Sequence, residues 1–88
     1  MTYVEEALKA FRAERWADAI ALAKQTDLQN RAIQFFMGYC YEFGRGVAKD
    51  VVTAVKWYLS AAEKGDPDAQ RNLGTCYRDG TGIVISRR

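Results

Sequence analysis

Residues 37–47 read MGYCYEFGRGV, and residues 73–83 read LGTCYRDGTGI. Set 36 residues apart, the two blocks share Gly38/Gly74, Cys40/Cys76, Tyr41/Tyr77, Gly44/Gly80 and Gly46/Gly82. Met37/Leu73 and Val47/Ile83 are conservative matches, and Gln34/Gln70 extends the correspondence backwards. A period of this length marks a stacked repeat, in which each unit buries its apolar face on its neighbours.

The spacing of apolar residues defines the unit. Ala69, Leu73, Cys76 and Tyr77 fall on one stripe of a helix. Asp66-Pro67-Asp68 opens it with an N-cap, a first-position proline and a carboxylate at the positive end of the helix dipole. Gly80 ends it, and Gly82 gives the following turn access to positive φ. Val51, Ala54, Val55, Tyr58 and Ala62 form a second stripe, capped by Asp50 and closed by Lys64-Gly65. A third runs from Ala32 to Phe43, with Asn30 favoured over Asp27 as its cap. Each unit is thus a helix, a glycine loop and a second antiparallel helix. Gly38 and Gly74 lie inside helices, where glycine costs about 1 kcal/mol against alanine, so both are expected at close helix contacts.

Ala69-Gln70-x-x-Leu73-Gly74-x-x-Tyr77-x-x-Gly80-x-Gly82-Ile83 resembles the first half of a Sel1-like repeat. Gly44-x-Gly46-Val47-x-x-Asp50-x-x-x-Ala54-x-x-Trp57-Tyr58-x-x-Ala61-Ala62-x-x-Gly65-Asp66 resembles the rest. Sel1-like repeats are related to tetratricopeptide repeats, and the resemblance implies an adaptor that binds other proteins. The implied fold is all-α, a short α-solenoid of five helices in one domain over residues 1–88. Residues 3–25 form a degenerate capping repeat joined by Ala13-Glu14-Arg15, with no glycine loop. Residues 30–65 form a full repeat, 66–83 a half repeat and 84–88 a tail.

Composition narrows the function. Hydrophobic residues make up 49% and charged residues 27%, which opposes disorder. The net charge of +2, with bases dispersed among acids, argues against a nucleic-acid partner. Histidine is absent, removing the commonest general base and transition-metal ligand, so neither an enzyme nor a cofactor or metal protein is expected. Cys40 and Cys76 occupy equivalent positions of successive units, too far apart to pair, and read as reduced thiols of a cytoplasmic protein. No apolar run is long enough for a signal peptide or a membrane span. Gly44-Arg45-Gly46 lacks the lysine and strand context of a phosphate loop.

Two surfaces are candidates for a protein partner. Tetratricopeptide-like geometry puts Phe35, Tyr39, Glu42 and Phe43 on the concave side, with Arg71, Thr75, Arg78 and Asp79 from the next unit. Aromatic rings beside arginines are the composition of a binding hot spot. A binder of this size also suits an inhibitor, immunity or counter-defence protein. The unfinished last unit is expected to expose the Leu73/Tyr77 side of its helix. That side is to be covered by the tail through Ile83 and Ile85 or by another chain, the latter giving a homodimer or a self-assembling protein.

Overall fold

The computed structural model describes residues 3–26 and 28–79, Asp79 by its backbone alone. They form five helices: α1 (Tyr3–Arg12), α2 (Trp16–Ala23), α3 (Arg31–Phe43), α4 (Val51–Glu63) and α5 (Pro67–Asp79). Short connections make sequential helices antiparallel neighbours. Arg31, at the start of α3, reaches the carbonyl of Lys64 just past the end of α4 at 3.0 Å, which fixes that orientation.

Each boundary has a local cause. The Asn30 side chain accepts from the backbone N–H groups of Ala32 and Ile33, so the third helix opens where favoured; Asp27 lies outside the described residues. Asp50 accepts from Thr53 N–H at 3.1 Å and from its hydroxyl at 2.7 Å. Asp66, itself buried, accepts from Ala69 N–H at 2.8 Å ahead of Pro67. Gly44 ends α3 with φ 67°, a left-handed conformation that glycine adopts without strain. Between α1 and α2 there is no glycine, and Glu14 takes the left-handed conformation itself at φ 61°. Gly80 and Gly82 lie outside the described residues.

The core falls into two clusters. Ala7, Ala10, Phe11, Ala19, Ile20 and Ala23 of the first pair bury Ile33, Met37 and Cys40 of α3. Ala54, Val55, Tyr58 and Ala61 of α4 bury Ala69, Leu73 and Cys76 of α5. Tyr41 packs on both. Alanines at these contacts let the helix axes come close, and the larger side chains fill the space between. Cys40 and Cys76 are buried free thiols.

The two helical glycines differ. A Cβ on Gly38 would stand 2.7 Å from the Tyr58 ring and 3.2 Å from the Ala54 carbonyl oxygen, the expected close contact. Gly74 is exposed, and among the described residues nothing lies within 4 Å of that position. The residue repeats, but the helix that would press on it is not among the described residues. The Leu73/Tyr77 expectation likewise holds in half: Leu73 is buried against α4, whereas Tyr77 is 46% exposed.

Candidate functional site

The i, i+4, i+8 spacing of Phe35, Tyr39 and Phe43 lines three rings along α3. Ring centroids are 6.5 Å apart for Phe35–Tyr39 and 4.8 Å for Tyr39–Phe43. Phe36 joins Phe35 edge-on at 5.2 Å and stacks nearly parallel on buried Phe11 at 4.9 Å. The strip therefore runs from the core outward. Phe35, Phe36 and Tyr39 are half-buried, and Phe43 at its outer end is 50% exposed.

Trp16, at the start of α2, belongs to this group, although no local pattern in the sequence joins it to α3. Its ring lies 5.5 Å from Tyr39, tilted by 31°. Gly46 makes the approach possible: a Cβ there would come within 3.0 Å of both Trp16 Cβ and Ile20 Cδ1, and its φ is 75°. The α3–α4 loop thus presses on the start of α2. A glycine following the Gly44 cap is the one signal in the sequence for such an approach.

The remaining expected site residues divide. Glu42 is turned toward α4, where its Oε1 accepts a 2.6 Å hydrogen bond from the Tyr58 hydroxyl. Phe35 also packs on Tyr58, with centroids 5.9 Å apart. Arg71 forms an exposed 2.7 Å ion pair with Asp68, and the Thr75 hydroxyl donates to the Arg71 carbonyl at 3.3 Å. Arg78 is exposed on the same helix. Ile83 and Ile85 lie outside the described residues, as does the expected tail contact.

The chemistry of these groups is that of contact surfaces. Burial pushes the Cys40 thiol up to about 11, away from the thiolate form a nucleophile needs. Burial, then the hydrogen bond to Glu42, raises the Tyr58 phenol as well. Hydrogen bonds from the Thr53 side chain and backbone hold the exposed Asp50 carboxyl below its ordinary range, as a helix cap does. Among the described residues no three His, Cys, Asp or Glu side chains gather as a metal site, and no helix is long and apolar enough to cross a membrane.

The repeat pattern can now be set against known proteins. The Sel1 repeat profile matches residues 33–66 and again 67–86, together more than half of the chain. The chain belongs to the Sel1 repeat family. Its helices superpose on the crystal structure of a Sel1 repeat protein from Oxalobacter formigenes with a TM-score of 0.89 and 35% identity. That match covers 98% of this chain and 35% of the other. The chain is also 35% identical over 77 residues to the ERAD-associated E3 ubiquitin-protein ligase component HRD3A of Arabidopsis thaliana. There the match spans 86% of this chain but only 11% of the plant protein. Sel1 repeats generally mediate protein–protein contacts and are generally non-catalytic. In this Sel1 chain α3–α4 form the full repeat and α5 opens the next, with the α1–α2 pair ahead of the first matched segment.

Proposed function

We propose that this Sel1 repeat chain binds a protein partner through the outer end of the aromatic strip, where Phe43 meets Tyr39 and Tyr39 meets Trp16. The observation that carries the reading is Phe43, half-exposed yet in ring contact with Tyr39. Tyr39 itself is in contact with Trp16. Rigid aromatic side chains already ordered by their neighbours lose little entropy on binding, and they dominate interface energetics. In this reading the partner also meets Thr75 and Arg71, carried by α5 of the following repeat. Such a surface acts by occupancy: it recruits a partner, or inhibits one by covering its working face.

The test is co-purification with tagged wild type and with the Tyr39→Ala/Phe43→Ser double variant, both shown to be folded by circular dichroism. Loss of a partner that wild type retains supports the reading. Identical recovery by both proteins removes the strip from the function. Addition of the chain to the purified partner then separates the two modes of action, since an inhibitor lowers the partner's activity and an adaptor leaves it unchanged.

A further inference from the structure

The loop that joins α3 to α4 carries an arginine that its own conformation does not require. Gly44 and Gly46 stand at φ 67° and 75°, so the turn needs glycine at both places. The residue between them is under no such demand, being Arg45 here and Thr81 in the matching stretch one period later, Gly80-Thr81-Gly82. The Arg45 backbone is nonetheless held. Its N–H donates to the Cys40 carbonyl at 2.8 Å, and Gly46, the next residue, lies against Trp16 and Ile20. Arg45 is thus moored beside the outer end of the aromatic strip. Two peptide links separate it from Phe43, which keeps their Cα atoms within about 7.6 Å of one another.

Among the described residues no side chain pairs with the exposed Arg45 guanidinium. The two carboxylates nearest to it in sequence are engaged on α4: Glu42 accepts from the Tyr58 hydroxyl, and Asp50 accepts from the Thr53 N–H and hydroxyl. Lys49, whose Cβ lies 3.3 Å from the place of a Cβ on Gly44, adds a second positive charge to the same loop. The outer end of the strip therefore sets an ordered, half-exposed ring next to a guanidinium with its donors unused. Aromatic and arginine side chains carry most of the energy of protein interfaces. A guanidinium that gives up water needs an anionic group in return, best a carboxylate held through two parallel N–H···O bonds. A nucleic acid would also supply anions, but these rings touch one another instead of forming a row of open faces for bases. On the basis of the binding role proposed above for the strip, we infer that the segment bound there is acidic. An aromatic or leucine side chain of the partner rests on Phe43, and a neighbouring Asp or Glu pairs with Arg45.

The probe is a library of random linear peptides displayed on phage, panned on the full 88-residue chain and on its Phe43→Ser and Arg45→Thr variants. Arg45→Thr installs the residue of the matching stretch and removes only an exposed side chain, and melting temperatures verify that both variants fold. Peptides that require Phe43 are expected to carry Asp or Glu close to an aromatic residue or leucine. In fluorescence anisotropy they are expected to bind about tenfold more weakly to Arg45→Thr, and more weakly still to Arg45→Glu. Arg45→Lys, which keeps the charge without the planar fork, is expected to fall between wild type and Arg45→Thr. Phe43-dependent peptides with no acidic enrichment, or with full affinity for Arg45→Thr, overturn the acidic partner while leaving the strip as a binding surface. Peptides that need Arg45 but not Phe43 overturn it as well, since the charge then acts apart from the strip. If no peptide depends on either residue the acidic partner falls, and co-purification with the Tyr39→Ala/Phe43→Ser variant alone decides the role of the strip. An oligodeoxythymidine that binds more tightly than the selected peptides, with a steep loss in salt, overturns the inference in favour of nucleic acid.

Discussion

The Tyr58 hydroxyl donates to Glu42 Oε1 at 2.6 Å while accepting from Asn72 Nδ2 at 3.3 Å, so one phenol links α3, α4 and α5. The ring below it is fully buried on Gly38. Tyr58→Phe keeps the packing and strips both hydrogen bonds. It is expected to cost about 1–2 kcal/mol, seen as a lower urea midpoint at unchanged slope. Tyr58→Ala also opens a cavity and is expected to cost about 3–5 kcal/mol. An unchanged midpoint for the phenylalanine variant would show that the linkage contributes nothing.

Alkaline pH is a second probe of the core. The Cys40 thiol, ordinarily near 9.0, is pushed by burial up to about 11. The fold therefore favours its neutral form, and the unfolded chain loses the proton first. This contribution to stability is complete below pH 9 and is lost as the pH rises toward 11. Urea midpoints are expected to fall across that window. Cys40→Ala, though less stable at neutral pH, is expected to fall less steeply. Parallel slopes would acquit the thiol.

The same substitution at the two helical glycines is expected to have opposite signs. Gly38→Ala gains helix propensity of about 1 kcal/mol, but its Cβ would lie 2.7 Å from the Tyr58 ring. Overpacking at a contact that tight costs about 1–3 kcal/mol, so the variant is expected to melt earlier than wild type. Gly74→Ala meets nothing among the described residues and is expected to stabilise by up to about 1 kcal/mol. Two shifts of one sign in thermal melts would refute the contrast.

Lys64 closes a polar lock within the full repeat, tying the end of α4 to the start of α3. Its Nζ donates to Gln29 Oε1 at 2.9 Å and to Gln34 Oε1 at 3.2 Å, while Gln34 Nε2 donates to the Leu28 carbonyl at 2.8 Å. Gln34 is only 3% exposed, so Lys64→Met would leave a buried amide oxygen without its donor. The expected cost is about 1–3 kcal/mol by urea denaturation, well above that of an ordinary surface lysine. A change within about 0.5 kcal/mol would show that water replaces the ammonium.

What was legible in the sequence and what was not follows from distance along the chain. Caps at Asn30, Asp50 and Asp66 act on N–H groups two or three residues away, so their residue types announce the helix starts. The glycines likewise announce the repeat. The Tyr58–Glu42 bond spans 16 residues, and the Lys64–Gln29 bond spans 35. No local pattern encodes either, and Glu42 therefore reads in sequence as a surface residue open to a partner. Trp16 was missed from the aromatic strip because its contact with Tyr39 crosses between repeats. Gly74 repeats Gly38 in sequence, but among the described residues no ring stands over it as Tyr58 stands over Gly38.

The double membership of Tyr41 has a consequence for cooperativity. The first cluster is built from α1, α2 and one side of α3, the second from α4 and α5, with Phe35 and Tyr41 of α3 packed against it. Residues of α3 pack on both clusters, so either flank can open while the other still shields it. Amide hydrogen exchange is expected to be slowest in Ile33–Cys40 and to quicken toward both ends. Unfolding then proceeds as fraying from the two flanks, and α3 is the last helix to let go.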